Sequence, residues 1–292
     1  MDKLFEDFLN EKRYLQGVSK KTLEWYTYSY KQYKRVLNGG TDGAEAWSNS
    51  LPTKHTLIQF VIGMRKNGLS SAGMNDYIRG FNVFLAWLHE NEHIEQLKIK
   101  RVKQEETIIQ TFTDKHLEAF IRYKPKDDAD LRLHTLILFL IDTGCRIEEA
   151  ITLVRENVDL DSLAVKVRGK GGKERIVPIS LELRKRLFKF LRTHEFDLVF
   201  CTRHGKPLLY RNSLRDFKRL GKKLGIKGVR VSWHTLRHTF AYNYVKGGGN
   251  IFYLQRAMGH TDLAMTKRYV NLQTEDLQRS HVKLSTLARL RS

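Results

Sequence analysis

Cysteine is scarce in this chain, and its two copies, Cys145 and Cys201, do not form a Cys-x-x-Cys pair. This usage argues against a disulfide framework or a zinc knuckle and suits a reducing interior. Long apolar runs are also missing, since the longest extends only from Leu136 to Ile141, against the roughly 20 residues that a bilayer span needs. Residues Met1–Phe8 are charged throughout and lack the apolar core of a signal peptide. We therefore expect a soluble cytoplasmic protein without membrane attachment.

Acidic residues are few relative to basic ones. The chain holds 52 lysines and arginines against 32 aspartates and glutamates, a net charge of +20. Residues 1–105 carry 16 basic and 12 acidic side chains, and residues 106–292 carry 36 and 20. Such an excess predicts a polyanionic partner, with nucleic acid as the first candidate. Solubility and binding to anionic lipid are the alternatives for a basic surface.

The length of 292 residues predicts roughly two domains. Apolar periodicity in the first third indicates four helices joined by short polar turns, which we expect to form a helical domain over residues 1–96. The expected helices are Leu4–Leu15, Lys20–Leu37, Thr53–Asn67 and Ser70–Asn91. Residues 97–111 lack helical periodicity and hold a run of basic side chains, so we expect a basic linker there.

Helical and strand patterns alternate in the remainder, residues 112–292. The expected helices are Thr113–Tyr123, Leu131–Asp142, Ile147–Leu153, Leu181–His194, Arg211–Leu224 and Ser232–Tyr244. Residues 157–179 alternate β-forming side chains around a tip rich in glycine and lysine, which predicts a β-hairpin, and a short strand is expected at 198–200. The fold class is thus mainly α with a small β-sheet.

Two donors of one predicted helix form a candidate anion site. His234 and Arg237 are three residues apart and so share a helix face, and their nitrogens could bind a phosphate. Arg146 directly follows the helix-ending Thr143-Gly144-Cys145 stretch. The structural alternative for Arg146 is a salt bridge with Glu148 or Glu149.

The hairpin tip at residues 168–175 could bring a lysine into a groove. Its glycines allow close backbone approach to a partner, but the Gly-x-x-x-x-Gly-Lys-Ser/Thr spacing of a nucleotide-binding loop is missing, which rejects that function. Further basic side chains could contact DNA phosphates, although ordinary solvated surface is an equal alternative for each. These candidates are Lys20, Lys21, Lys98, Lys100, Arg101, Lys103, Arg168, Lys173, Arg211 and Arg215.

Five local patterns, taken in order, resemble the tyrosine site-specific recombinases of the phage integrase family. They are Thr143–Ala150, Arg168–Ile179, His234–Ala241, Leu254–Thr261 and Thr266–Val270. The resemblance is strong from Thr113 to about Ser292, whereas residues 1–95 resemble the family's SAM-like core-binding domain only in size, position and one helix. Cys145 stands at a usually apolar position, and Met258 replaces a leucine.

The resemblance implies a catalytic set of Arg146, Lys170, His234, Arg237, His260 and Tyr269. Tyr269 would be the nucleophile, forming a 3′-phosphotyrosyl bond. The arginines would bind the scissile phosphate, and Lys170 would protonate the leaving oxygen, with Lys173 as the substitute if the hairpin register differs. No cofactor and no metal are implied.

The resemblance also implies partners. They are double-stranded DNA with inverted-repeat core sites and three further copies of the chain bound through a C-terminal helix at residues 274–290. An accessory protein is an optional further partner. Recombination through a Holliday junction, in integration and excision of a mobile element, is the expected function, placed at the nucleoid. A host chromosome-dimer resolvase, a DNA-binding regulator with a vestigial catalytic fold and a type IB topoisomerase stay open as alternatives.

Overall fold

The chain divides into two units, Met1–Thr107 and Ile108–Ser292. The computed structural model describes residues 1–39, 50–104, 109–169 and 172–259. About 60% of it is helix, accompanied by one small antiparallel sheet. The predicted fold class, mainly helical with a small sheet, is confirmed.

Four helices build the first unit at the expected places. They are α1 (Asp2–Tyr14), α2 (Lys20–Leu37), α3 (Lys54–Lys66) and α4 (Ser71–Glu90). The hydroxyl groups of Ser19, Thr53 and Ser70 accept backbone N–H groups at the starts of α2, α3 and α4. A capping hydroxyl of this kind satisfies a donor that has no partner within the helix. Local sequence therefore fixes where these helices begin.

Aromatic rings fill the core of the first unit. Phe5 stacks on Tyr30 with ring centroids 4.0 Å apart, and Tyr33 stacks on Phe81 at 4.2 Å. The buried hydroxyl of Tyr33 donates to Thr56 Oγ1 at 3.0 Å, so the ring is buried without leaving its polar atom unpaired.

The segment that follows α4 belongs to this core. Ile99 is buried, and Leu97 and Val102 pack against the same cluster. The first part of the predicted linker thus lies against the helical unit.

The second unit surrounds one buried helix with a sheet and further helices. Its elements are α5 (Asp114–Arg122), α6 (Asp128–Thr143), α7 (Ile147–Ile151), β1 (Val158–Asp159), β2 (Ala164–Arg168), β3 (Glu174–Pro178), α8 (Leu181–Leu191), α9 (Tyr210–Lys223), α10 (Trp233–Lys246) and α11 (Ile251–Met258). The strands pair antiparallel in the order β1-β2-β3, with Val165 opposite Val177 and Val167 opposite Arg175. Every residue of α6 from Leu133 to Leu140 is buried.

Three sequence expectations for this unit differ from the structure. Helix α6 starts three residues earlier than expected, because the Asp127 side chain accepts the Asp130 N–H at 2.8 Å and caps a polar first turn. The prediction of a strand at 198–200 was wrong, because only an isolated β-bridge pairs Leu198 with Val154. Helix α11 was not predicted. Its eight residues include Phe252 and Tyr253, both exposed, which weakens an amphipathic pattern.

Replacing Gly80 with alanine tests the close packing of α2 on α4. A Cβ at Gly80 would lie 2.2 Å from Ser29 Oγ, whereas one at Gly73 would meet only Ser70 Oγ at 3.4 Å. We expect Gly80→Ala to lower the free energy of unfolding by about 1–3 kcal/mol because overpacking outweighs the gain in helix propensity. Gly73→Ala, the control in the same helix, should raise it by up to about 1 kcal/mol. Urea unfolding of both variants measures this, and equal stabilities would contradict it.

Candidate active site

Arg146 sits between two helices that hold its backbone in place. Helix α6 ends at Thr143 and is followed by Gly144, whose φ of 60° is left-handed and whose N–H donates to the Leu140 carbonyl. A Cβ at Gly144 would lie 2.1 Å from the ring of Phe240 in α10, so a glycine is required there. Two residues later, Arg146 is the N-cap of α7. The predicted helix end before Arg146 is therefore where α6 meets α10.

Arg237 binds the carbonyl group of Gly144, close to Arg146 in the chain segment between α6 and α7. It lies in α10 and is only 8% exposed. Its guanidinium donates to the carbonyl of Gly144 at 2.7 Å and to that of Met258 at 2.6 Å. Burial and the nearby Arg146 lower the pKa of Arg237 to about 10. The group therefore stays charged at neutral pH.

The two predicted phosphate-binding arginines converge on one carbonyl group. Arg146 Nη1 donates to the Met258 carbonyl at 3.2 Å, and Arg146 Nη2 donates to the Gly259 carbonyl at 3.2 Å. Because Arg237 also binds Met258, residues 91 positions apart in sequence become neighbours. This proximity was predicted from the motif order but not from either local pattern.

Glu149 lies buried beneath the arginines. Its carboxylate accepts the Arg146 backbone N–H at 2.7 Å and Arg146 Nη1 at 3.1 Å. Arg175 of β3 binds both carboxylate oxygens, at 2.7 and 2.8 Å, and donates through Nε to the Ala257 carbonyl at 2.7 Å. Burial opposes ionisation of Glu149, but the hydrogen bonds from Arg175 and Arg146 outweigh it and hold its pKa below the ordinary value.

Arg146 and Arg175 thus bind one carboxylate, and Arg237 lies near enough to feel its charge. Three guanidinium groups against one carboxylate leave this cluster with excess positive charge. Forked, charged donors suit the oxygens of a phosphate better than a point charge does. Within residues 1–39, 50–104, 109–169 and 172–259, no group of three or more His, Cys, Asp or Glu side chains could hold a metal ion. The arrangement can bind and polarise a phosphate diester.

Comparison with known proteins identifies the family of this chain. Residues 110–276 match the phage integrase family, which is more than half of the chain. The chain belongs to the phage integrase family. This family is an enzyme class that cleaves and rejoins DNA.

Individual relatives align with the chain almost end to end. It is 29% identical to tyrosine recombinase XerA of Thermococcus kodakarensis over 98% of this chain and 95% of that protein. It is 26% identical to tyrosine recombinase XerD of Halalkalibacterium halodurans over 91% and 92%.

Solved structures share the fold. A Tn1549 transposon integrase in complex with circular intermediate DNA superposes with a TM-score of 0.74 at 19% identity, covering 96% of this chain and 98% of that chain. XerH site-specific recombinase in a post-cleavage complex with palindromic difH substrate gives a TM-score of 0.73 at 19% identity, covering 95% and 83%.

The six residues expected from the family divide into two groups. Arg146 and Arg237 meet in the cluster, and His234 lies exposed in the first turn of α10. The other three, Lys170, His260 and Tyr269, lie outside the described residues, as does the expected helix at 274–290.

The described residues that precede two of these positions lie beside the cluster. A Cβ at Gly169 would be 3.4 Å from Glu149 Oε1, and one at Gly259 would be 3.1 Å from Arg175 Nη1. Lys170 and His260 follow these glycines directly in sequence.

The ten basic residues predicted to contact DNA are all exposed. They are Lys20, Lys21, Lys98, Lys100, Arg101, Lys103, Arg168, Lys173, Arg211 and Arg215. Arg215 also pairs with Asp216 at 3.6 Å across exposed surface, a contact that contributes little. Tyr253, in α11, is 63% exposed.

The cysteine departure from the family pattern preserves an apolar position. Cys145 is 1% exposed, and burial raises the pKa of its thiol to about 11. A neutral buried thiol packs as a small apolar side chain.

Arg175 is the site residue that sequence reasoning missed. It stands two residues before the buried Val177, so it shares the inward phase of β3. A charged side chain at an inward position requires a buried partner. That strand phase was the signal available in the sequence, while the identity of the partner, Glu149, depended on tertiary contact.

Replacing Glu149 with glutamine tests this ion pair. We expect a loss of about 3 kcal/mol in the free energy of unfolding, because the half-buried guanidinium groups of Arg146 and Arg175 lose their buried counterion. The folded pKa of Glu149 lies below its ordinary value of 4.5, so the ionised group's contribution is present above that pH. It is lost as the pH falls through the folded pKa.

The measurement is urea unfolding of the wild type and Glu149→Gln between about pH 3 and pH 6. The difference between the two proteins should shrink at the acid end. Glu148→Gln is the matched control, since Glu148 is exposed, and it should change stability by less than about 0.5 kcal/mol. A pH-independent difference would show that the charge of Glu149 is not what stabilises the site.

Proposed function

We propose that this chain is a site-specific DNA recombinase that cuts and rejoins strands through a 3′-phosphotyrosyl intermediate at Tyr269 and a Holliday junction. The observation that carries the proposal is the convergence of Arg146 and Arg237 on the Met258 carbonyl. Two fixed guanidinium forks at one point suit the charge that develops on a phosphate during transfer. Membership of a family that cleaves and rejoins DNA supplies the reaction class.

Each remaining group has a role in the proposed reaction. Tyr269 attacks the scissile phosphorus and displaces the 5′ oxygen of the leaving strand, so the diester energy is kept for rejoining. Lys170 gives that oxygen its proton, with Lys173 as the substitute. His234 assists the proton transfer from Tyr269.

Other histidines and the cluster support these steps. His260 hydrogen-bonds the phosphate. His238, which is half-buried in α10, supports the structure of the site and does not act on the substrate. The reverse attack by a strand's 5′ hydroxyl restores the diester and frees Tyr269. Removing one phosphate-binding donor of this kind lowers rates by about 10²–10³.

DNA is the proposed partner. The net charge of +20 provides the long-range attraction, and structural relatives include recombinases in complex with DNA. The proposed substrate is a pair of duplex sites with inverted repeats, bound by four copies that exchange the segment at 274–290. The described helices include none long and apolar enough to cross a membrane.

Mobile-element integration and excision is the first candidate for the biological role. The departure of the fourth motif, Leu254–Thr261, in which Met258 replaces leucine, favours it over a housekeeping enzyme. Chromosome-dimer resolution is the second candidate, favoured by the nearly end-to-end match to XerA and XerD proteins.

A nicked suicide substrate tests the chemistry. When cleavage releases a short fragment, the wild type should stay covalently attached to DNA. Tyr269→Phe should abolish this trapping while duplex binding persists, because only the nucleophilic oxygen is removed. Tyr253→Phe is the control on an exposed tyrosine and should trap normally.

The trapping result also separates the other classes of protein. Binding without covalent attachment under every condition would overturn the enzyme proposal and favour a DNA-binding regulator. Relaxation of plasmids that lack a specific site, without recombinants, would favour a type IB topoisomerase.

Mapping the trapped DNA in cells separates the two biological roles. For a mobile element, the attachment points should lie in the sequences that flank the gene on both sides. Attachment at one chromosomal locus away from the gene would contradict the mobile-element role and favour dimer resolution.

A further inference from the structure

Two asparagines of α4 hold the segment Leu97–Gln104, here named the basic strap, in a way that its sequence did not indicate. Asn82 donates to the Ile99 carbonyl and accepts the Ile99 N–H, both at 2.9 Å. Asn75 does the same with Val102, both at 2.8 Å. Each side-chain amide therefore binds both the N–H and the C=O group of one strap residue, as the backbone of a neighbouring strand would.

The spacing of these pairs requires an extended backbone. Asn75 and Asn82 are two helical turns apart on one face, a rise of about 10.5 Å. Ile99 and Val102 are three residues apart, which spans about 9–11 Å only when the chain is extended. The strap runs antiparallel to α4, since its first clamped residue pairs with the later asparagine.

The apolar side chains of the strap face α4, and its basic side chains face solvent. Ile99 is buried and Leu97 and Val102 are half-buried, whereas Lys98, Lys100, Arg101 and Lys103 are exposed. An extended segment of this kind, outside any helix or sheet, makes no hydrogen bonds within itself. The clamped backbone groups of Ile99 and Val102 therefore depend on partners from α4, and the asparagines supply them.

The exposed side of the strap carries only positive charge. Four cations lie within six residues, and residues 96–104 include no aspartate or glutamate. In the described structure, no ion pair involves any of the four. A fixed row of unpaired cations is complementary to a row of phosphates.

We propose that Asn75 and Asn82 are positioning residues that make the basic strap a rigid edge of the helical unit, and that this edge binds the phosphate backbone of duplex DNA. The proposal rests on the proposed function for its ligand, but it concerns binding and not cleavage. Because the four cations are held in place before DNA arrives, less conformational entropy is lost on binding than from a free linker. Backbone binding is sequence-independent, so a labelled duplex of random sequence is a sufficient probe.

The first experiment removes the charges from the full-length chain. Replacing Lys98, Lys100, Arg101 and Lys103 with glutamine should weaken binding and reduce the slope of log affinity against log salt by roughly 3–4, about 0.9 for each lost phosphate contact. The matched control replaces Lys3, Lys115, Lys124 and Lys126, all exposed, and loses the same charge. An equal reduction of the slope in both variants would overturn the strap as a binding edge.

The second experiment removes the clamp and leaves the charge unchanged. Asn75→Ala/Asn82→Ala should make the Ile99 and Val102 amides exchange rapidly with solvent and weaken DNA binding by roughly tenfold. The single variants each keep one clamp, so they give an intermediate effect even if the double variant folds poorly. Asn10→Ala, on an exposed residue of α1, is the control.

The outcomes distinguish this proposal from the proposed function. Rapid exchange with unchanged affinity would overturn the positioning role of the asparagines. Persistent protection of both amides would overturn the clamp itself. If the strap variants lose affinity as expected while Tyr269 traps no DNA, the strap stands and the recombinase proposal falls. If the wild type binds no duplex at all, both fall.

Discussion

The buried carboxylate of Glu149 is the interaction on which the rest of the active site depends. It accepts from Arg146 and, through both oxygens, from Arg175. Three guanidinium groups without a counterion would repel one another in an environment that screens charge poorly. A single carboxylate offsets part of this repulsion and leaves a net positive cluster. The carboxylate therefore reduces the repulsion among the guanidinium groups, and the remaining positive charge still attracts an anion.

Helix ends fix the direction of Arg146 and Arg237, the two arginines proposed to bind phosphate. Gly144 follows the C-terminus of α6, and Met258 is the last residue of α11. The carbonyls at such ends carry partial negative charge and lack partners within the helix. Arg146 and Arg237 provide those partners. The same contacts orient the guanidinium forks and satisfy the helix termini, which couples the stability of the fold to the geometry of the site.

Positive charge is organised differently in the two units. In the second unit, three guanidinium groups meet at a partly buried centre, where Glu149 offsets part of their charge. In the first unit, the basic strap presents its cations at the surface, and α4 holds the backbone beneath them. The buried centre suits recognition of one phosphate during its reaction. A surface row suits sequence-independent attachment along a strand. This division follows from burial, because a buried cation requires a counterion and an exposed one does not.

The sequence by itself determined the local structure and the reaction class. Helix starts followed from capping residues such as Ser19 and Thr113, and the hairpin from alternation around a glycine-rich tip. The ordered motifs identified the family, which the comparison confirmed. These signals lie within a few residues of one another, so local physical chemistry is enough to interpret them.

Only the tertiary structure decided which distant groups meet. The partnership of Glu149 with Arg175 spans 26 residues, and that of Arg146 with the Met258 carbonyl spans 112. No local pattern encodes such contacts, since they arise when whole elements pack. For the same reason, the sequence of the linker expected at 97–111 did not indicate its hydrogen bonds to the two asparagines of α4. Asn75 and Asn82 look like ordinary polar residues of α4 until Val102 and Ile99 lie against them.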